Sequence, residues 1–346
     1  MTLLRSAQAP AKGDEAIPMS VAGFIVIAFM LTMYVLLDGY DLGVAAIAPF
    51  IARSDRERAA AMESIGPFWN GNEVWLIASA AALFALFPIA YASSFSGFYL
   101  PFIVVLWLLM FRGIALEVRD HFNSGLWHQF WDAAFSLSSA LLIVVFGIAL
   151  GNLLRGLPLD DSGYFRGTFA VLLNPYALLV GLFALATLAM HGAAFVTLRV
   201  EGELGARATT SVLDLWWVVG ALYLAVTVVT LRVHVPANVS WLPVMPVFSI
   251  AALALLRWGA LKKSAVLAFA ASLSFIATLM VASARTLFPY LLPAFPAEHG
   301  GISIFTAAPS SVALSCALSV TIAGIALVSI YGSFVWRRMA GKIRVE

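Results

Sequence analysis

The chain has 346 residues, of which 62% are hydrophobic and 11% charged, and its net charge is +2. Soluble domains carry about 25% charged residues, so this composition and a mean hydropathy of +0.96 exclude an ordinary soluble domain and point to a polytopic membrane protein. No basic cluster offers a nucleic-acid surface, and a single cysteine, Cys316, excludes an internal disulfide and a cysteine-built zinc site.

In chain order, residues 1–17 form a polar segment without the apolar core of a signal peptide. The first apolar run is too long for a leader and reads as a retained span. A spanning helix needs about 20 mostly apolar residues. Nine segments meet that length: 18–48, 73–92, 95–117, 132–151, 169–197, 211–231, 243–261, 265–291 and 310–336. The expected architecture is therefore an all-α, nine-span domain over 18–336, followed by a basic tail at 337–346. Spans two and three are split only by the turn around "YASSFSG", and span seven opens with the prolines of "WLPVMPVF". No convincing internal repeat is visible, although "LDGYDLG" in span one and "MHGAAF" in span five hold similar places.

Arginine and lysine set orientation. The connections after spans one, three, five and seven, with the tail, hold 14 of these residues, and the opposite side holds the other 6 of the 20. The expected topology has the N-terminus outside and the C-terminus in the cytoplasm.

Polar residues interrupt the early spans. Asp38 and Asp41 lie three apart in "LDGYDLG", on one helix face. Gly39 and Gly43 beside them let another helix approach closely. An acid in a span defaults to a functional reading, whereas an interfacial one caps or pairs locally, here with Arg53 or Arg56. In "SIGPFWNGNEVWLI", Asn70 or Asn72 suits a helix cap and Glu73 its first turn. Trp69 and Trp75 flank them as belt aromatics, or as lining of an interface or channel. In "FRGIALEVRDHF", Arg112 and Glu117 lie at the end of span three, and Asp132 opens span four. Taken singly, Arg112 reads as a positive-inside anchor and Asp132 as a helix-start acid. Taken together, Asp38, Asp41, Glu73, Glu117 and Asp132 fall on one side of four spans with Arg112 as counter-charge, and grouped acids of this kind bind protons or cations or line a path.

Redox cofactors fare differently. Of His121, His128, His191, His234 and His299 only His191 falls within a span, so the chain cannot supply a bis-histidine haem. It also lacks a phosphate-binding glycine loop and a nucleophile–histidine arrangement. The residues alone indicate a cofactor-free membrane subunit or a transporter.

The stretches "LLDGYDLGV", "GPFWNGNEVWLI", "ALFPIAYASSFSGFYLP", "FRGIALEVR" and "GNLLRGLP" resemble, in order, the signatures of subunit II of cytochrome bd-type quinol oxidases. The likeness is dense over about residues 20–210 and thin afterwards, where "ARTLFPYLLP" is its best echo. It implies nine spans arranged as two four-helix bundles plus a peripheral helix, in a bacterial or archaeal cytoplasmic membrane. It also implies a heterodimer with a subunit I that carries haem b, haem d and the quinol site, with room for a small single-span third subunit. The complex would oxidise quinol and reduce dioxygen to water in the respiratory chain. This chain, itself binding no haem or metal, would support assembly and line a cytoplasmic proton path. By that likeness Asp38 and Asp41 match the family's paired acids, Glu73 the acid of "GNEVW", and Arg112 the arginine of "FR". One departure stands out. The family reads "WDGNEVW" where this chain reads "WNGNEVW", and Asn70 cannot carry a proton by ionising. A divergent bd-like complex with another electron donor or acceptor, a cation- or proton-coupled transporter, and a structural scaffold remain open alternatives.

Overall fold

Helix α1 (Ala16–Ile51) runs unbroken through the first expected span and past both of its aspartates. After it come α2 (Asp55–Ile65), α3 (Trp69–Leu86), α4 (Pro88–Gly97), α5 (Tyr99–Val118), a 3₁₀ turn (Arg119–His121), α6 (Gly125–Arg155), α7 (Phe169–Leu172), α8 (Pro175–Arg199), α9 (Glu203–Val233), α10 (Val244–Leu261) and α11 (Ala265–Leu287). A small antiparallel pair, β1 (Tyr290–Leu292) and β2 (Ile302–Ser303), precedes α12 (Ile304–Ala307) and α13 (Ser311–Met339). The structure, a computed structural model, describes residues 16–233, 244–296, 300–339 and 341–345. Nearly all of the polar segment expected at 1–17 lies outside the described residues, as do His234, His299 and the start of "WLPVMPVF".

Among the described residues, eight helices are long and apolar enough to cross a membrane: α1, α5, α6, α8, α9, α10, α11 and α13. The expected span 73–92 is not one of them. Its helix, α3, begins at Trp69 with two amides and a carboxylate in five residues, and ends at Leu86. Phe87 leaves the helical region (φ −144°, ψ 68°) and Pro88 starts a separate helix, because proline has no N–H to continue the ladder. The span expected at 169–197 is likewise divided into α7 and α8. Pro175 starts α8, and the Asn174 side chain accepts from the Ala177 N–H at 3.0 Å as a helix cap. The span expected to open at Asp132 begins earlier, at Gly125.

Helix α8 lies at the centre, packed on α1, α6, α9 and α11, and 78% of its apolar window is buried inside the protein. Helix α1 touches α3, α6, α8, α11 and α13. The α1–α8 crossing depends on two glycines. A Cβ on Gly43 would lie 1.9 Å from the Leu188 carbonyl oxygen, and one on Gly192 would lie 2.1 Å from the Gly43 carbonyl carbon. The two similar stretches of the sequence, "LDGYDLG" and "MHGAAF", are thus pressed together rather than placed apart.

At the end of α1 a short amphipathic helix, α2, is clamped by charge. Ser54 caps α2 by accepting from the Glu57 N–H. The Glu57 carboxylate accepts from the Arg53 N–H at 2.6 Å and from the Arg207 guanidinium, which also donates to the Ile51 carbonyl at 2.7 Å. The basic segment after α13 folds back on α8. Arg199 donates to the Met339 carbonyl at 2.9 Å and to that of Gly341, Ile343 bridges Val200, and Glu201 pairs with Lys342 and Arg344.

Two outcomes follow from these contacts. Gly43→Ala or Gly192→Ala forces backbone apart at the α1–α8 crossing, and overpacking of this kind costs about 1–3 kcal/mol or more. Thermal unfolding of the purified protein should show the loss, while Gly324→Ala and Gly332→Ala, which meet open space, should melt like the parent. The second concerns Glu57. Partial burial pushes its carboxyl up, but the Arg53 amide and Arg207 outweigh burial and hold it below the usual carboxylate range. A depressed native value means the clamp is intact at neutral pH and fails as pH falls below about 4. Melting temperatures measured from about pH 5 down to about pH 2 should therefore fall less steeply in Glu57→Gln, from a lower starting stability.

Candidate functional site

Asp38 and Asp41 of α1 find their side-chain partners on α5 and α3 rather than on α8. Arg112 of α5 meets Asp38 with two parallel hydrogen bonds: Nη2 to Oδ1 at 2.5 Å and Nη1 to Oδ2 at 3.1 Å. The same guanidinium has Asp41 Oδ2 at 3.9 Å and Glu73 Oε2, from α3, at 3.8 Å. The Asp38, Asp41 and Arg112 side chains are sealed from solvent, whereas Glu73 keeps 19% of its side-chain surface exposed. Asn72, one residue before Glu73, donates from Nδ2 to Asp41 Oδ2 at 2.7 Å and to the Tyr40 hydroxyl at 2.8 Å. Among the described residues, two polar atoms of this buried region have no hydrogen-bond partner, Asp41 Oδ1 and Arg112 Nε.

One guanidinium thus faces three carboxyls. A bidentate arginine–carboxylate pair is the strong form of ionic hydrogen bond, and its geometry is spent on Asp38. Asp41 and Glu73 lie within ionic range of the same cation without bonding it. They are the carboxyls of the cluster that the paired hydrogen bonds of the guanidinium leave out.

The other expected site residues are placed apart. Asp132 sits two turns inside α6, not at its start. It accepts from Arg119 Nε at 2.6 Å and pairs with Arg58 at 3.0 Å. Arg119 also holds Asp55 at 2.6 Å and Asp120 at 2.9 Å, and Asp55 meets His128 at 3.2 Å. This second network is tied to the α2 end of the protein. Glu117 is exposed on α5 and belongs to neither cluster. Asn70 is exposed at the start of α3. Neither Asn70 nor Asn72 caps that helix: Phe68 is its N-cap, with no side-chain bond, and Glu73 falls past the first turn. Asp38 and Asp41 do not turn to Arg53 or Arg56, because Arg112 reaches them inside the bundle. Trp75 is buried edge-on against Phe29 and is not a belt residue. The Trp69 ring lies 6.0 Å from the Arg112 guanidinium carbon.

Haem ligation by His191, the histidine that the sequence places within a span, does not fit this geometry. His191 Nδ1 is 2.7 Å from the Ser272 hydroxyl, and Nε2 is 3.1 Å from the Leu36 carbonyl. Its ring is stacked on Phe269 at 5.1 Å. Both nitrogens are engaged within the protein, and a metal at either would have to displace a helix contact.

Sequence reasoning passed over three members of the site. Tyr40 lies between the two aspartates, Tyr34 is one turn before Asp38, and Asn72 was assigned to capping. A phenol and an amide beside an intramembrane acid are the available signal, since polar atoms in hydrocarbon need partners.

Comparison with known proteins agrees with this architecture. A sequence model of the family described as cytochrome bd terminal oxidase subunit II matches residues 19–339. The chain is 29% identical to the cytochrome bd-I ubiquinol oxidase subunit 2 of Escherichia coli (strain K12), covering 94% of each. It is 37% identical to the cytochrome bd ubiquinol oxidase subunit 2 of Bacillus subtilis (strain 168), over 54% of this chain and 55% of that one. Its fold matches a chain of the bd oxidase structure from Geobacillus thermodenitrificans with a TM-score of 0.76. That match covers 92% of this chain and 98% of the other at 19% identity.

The buried pair sets a stability test. Arg112→Gln leaves Asp38 without its counter-charge, which in buried pairs costs about 3–5 kcal/mol. The yield of folded protein from membranes should drop sharply. The double variant Arg112→Gln/Asp38→Asn, which removes both charges, should recover a large part of it.

Proposed function

The chain belongs to the cytochrome bd terminal oxidase subunit II family, and from that premise we propose that it is the haem-free subunit of a quinol-oxidising, dioxygen-reducing membrane complex. The family's members are subunits of such a complex in the membranes of bacteria. The partner in this reading is a haem-bearing subunit I, with or without a small third subunit, and the haems there supply the electron transfer and oxygen chemistry. This chain supplies fold support and a proton-handling site. Its spans form two four-helix bundles, α1 with α3/α4, α5 and α6, and α8 with α9, α10 and α11, with α13 peripheral. The packing of α1 on α3 and α6, and of α10 on α9 and α11, supports that division. In this topology α3 with α4 supplies the ninth span, the N-terminus is outside, and the tail at 337–346 is cytoplasmic.

The observation that carries the proton role is the shared guanidinium. Arg112 spends its two parallel hydrogen bonds on Asp38 and holds Asp41 and Glu73 at 3.9 and 3.8 Å without bonding them. Carboxyls in excess of cations in a dry site exchange protons. Glu73 is the partly exposed member and the outer end of the relay, while Asp41 is its sealed inner end. Asn70, exposed one turn earlier, lies outside the relay. A complex with a different donor or acceptor is the second reading, and it rests only on the departure from "WDGNEVW" at position 70, outside the sealed cluster.

The test is purification from native membranes through a tag on this chain. The expected result is co-purification of a histidine-bearing partner, haem absorbance that remains with the partner, and oxygen uptake driven by quinol. Asp41→Asn and Glu73→Gln should each slow that uptake at least about tenfold with haem content unchanged, since a positioned proton carrier contributes factors of about 10²–10⁴. A chain that purifies alone, or that carries haem stoichiometrically by itself, overturns the reading. Intact haems without quinol-driven oxygen uptake select the second one.

A further inference from the structure

Asn72 makes the only hydrogen bond to Asp41 among the described side chains, and its own aim is fixed from the far side of the protein. The amide nitrogen has two protons. One goes to Asp41 Oδ2 at 2.7 Å and the other to the Tyr40 hydroxyl at 2.8 Å. A carboxylate offers no proton, so the nitrogen and not the oxygen of the amide must face it. Tyr40 cannot shift to follow. Its ring is stacked on Phe195 of α8 at 4.1 Å and meets Phe269 of α11 edge-on at 5.9 Å. His191, stacked on Phe269, adds a third wall at 6.1 Å. The phenol is therefore a rigid post between α1, α8 and α11, and the amide of α3 hangs on it.

The consequence falls on the two oxygens of Asp41. Oδ2 is held by the amide and lies 3.9 Å from Arg112, whereas Oδ1 is buried with no hydrogen-bond partner among the described residues. We propose that Asn72 is the positioning residue of the proton site: anchored on the Tyr40 phenol, its amide occupies one oxygen of Asp41 and leaves the other, Oδ1, as the atom that takes and releases the proton. The inference rests on the reading of Asp41 as a proton carrier. The charged and titratable groups around Asp41 are Asp38 and Tyr40 on its own helix, Arg112 on α5 and Glu73 on α3. Asn72 adds to them a neutral donor that favours the charged form. Asn72→Ala removes that donor, so Asp41 should hold its proton more tightly. Tyr40→Phe keeps the ring in its stack and removes only the oxygen, so the amide loses its anchor while the helices stay packed.

The experiment uses the whole complex from native membranes, in wild type, Asn72→Ala, Tyr40→Phe, their double variant and Asp41→Asn. Two readouts are taken: the pH profile of quinol-driven oxygen uptake, and infrared titration of the protonated-carboxyl band in complex labelled with ¹³C-aspartate. The expected result is an alkaline displacement of both by about one pH unit in Asn72→Ala, a tenfold change in proton affinity. Tyr40→Phe should give a smaller displacement in the same direction, the double variant should move no further than Asn72→Ala, and KM for quinol should stay constant. Profiles and bands that coincide with wild type in Asn72→Ala and Tyr40→Phe, while Asp41→Asn alters them, overturn the positioning role and leave the proton site standing. An unaltered profile and band in Asp41→Asn removes the proton site and the inference with it. If Asn72→Ala does not assemble, Tyr40→Phe decides by the same two readouts.

Discussion

The buried pair of Arg112 and Asp38 is the constraint around which the early helices are arranged. Two ions taken out of water cost several kcal/mol each unless geometry and hydrogen bonds compensate. Here the compensation needs α1 and α5 at one fixed separation, because the fork of the guanidinium meets both carboxylate oxygens at once. Helix α1 can present its acids in that direction only because its opposite face is stripped to glycine. Gly43 and Gly192 bring the α1 and α8 backbones together, and Asp38 and Asp41 are left to face α3 and α5. Packing on one side of the helix and ion pairing on the other are therefore one arrangement.

A buried cation that served structure alone would need a single carboxylate. This site gathers three, and the third, Glu73, is partly exposed. The surplus separates the cluster from the Arg119 network, where Asp55, Asp120 and Asp132 gather at the α2 end of the protein and Arg58 and His128 add further positive or protonatable groups. There, exposure of Asp55 and Asp120 lets water screen the excess, as is usual for pairs near a surface. The two networks share acidic composition and differ in solvation, and solvation decides which of them handles protons in the proposed function.

The amide at position 70 is reconciled by the same geometry. Asn70 is exposed, one turn from Glu73, while Asn72 occupies the buried position beside Asp41. An acid-to-amide difference at 70 leaves the charge of the sealed cluster unchanged. The match to relatives of 29% and 37% identity, and to a solved bd oxidase chain at a TM-score of 0.76, accords with one helical fold shared across widely different sequences.

Long apolar runs, the basic bias between them and the glycine–aspartate stretch of α1 were legible without coordinates. Each is a local property: a span is a matter of length and hydropathy, and the spacing of Asp38 and Asp41 puts them on one face of any helix. What broke the local reading was also local but competing. Pro88 and Pro175 divided two runs that hydropathy joined, and the polar first turns of α3 made it the least membrane-like of the expected spans. The partners of the polar residues were a different matter. That Arg112 closes on Asp38 across 74 positions, that Asn72 serves Asp41 and not the end of its own helix, and that Glu117 and Asp132 leave the cluster altogether were decided by which helices touch. Helix contacts are fixed by the shape of whole faces, above all by the two glycines at the α1–α8 crossing. No pairwise pattern along the chain encodes which donor will stand opposite a given acid once those faces have closed.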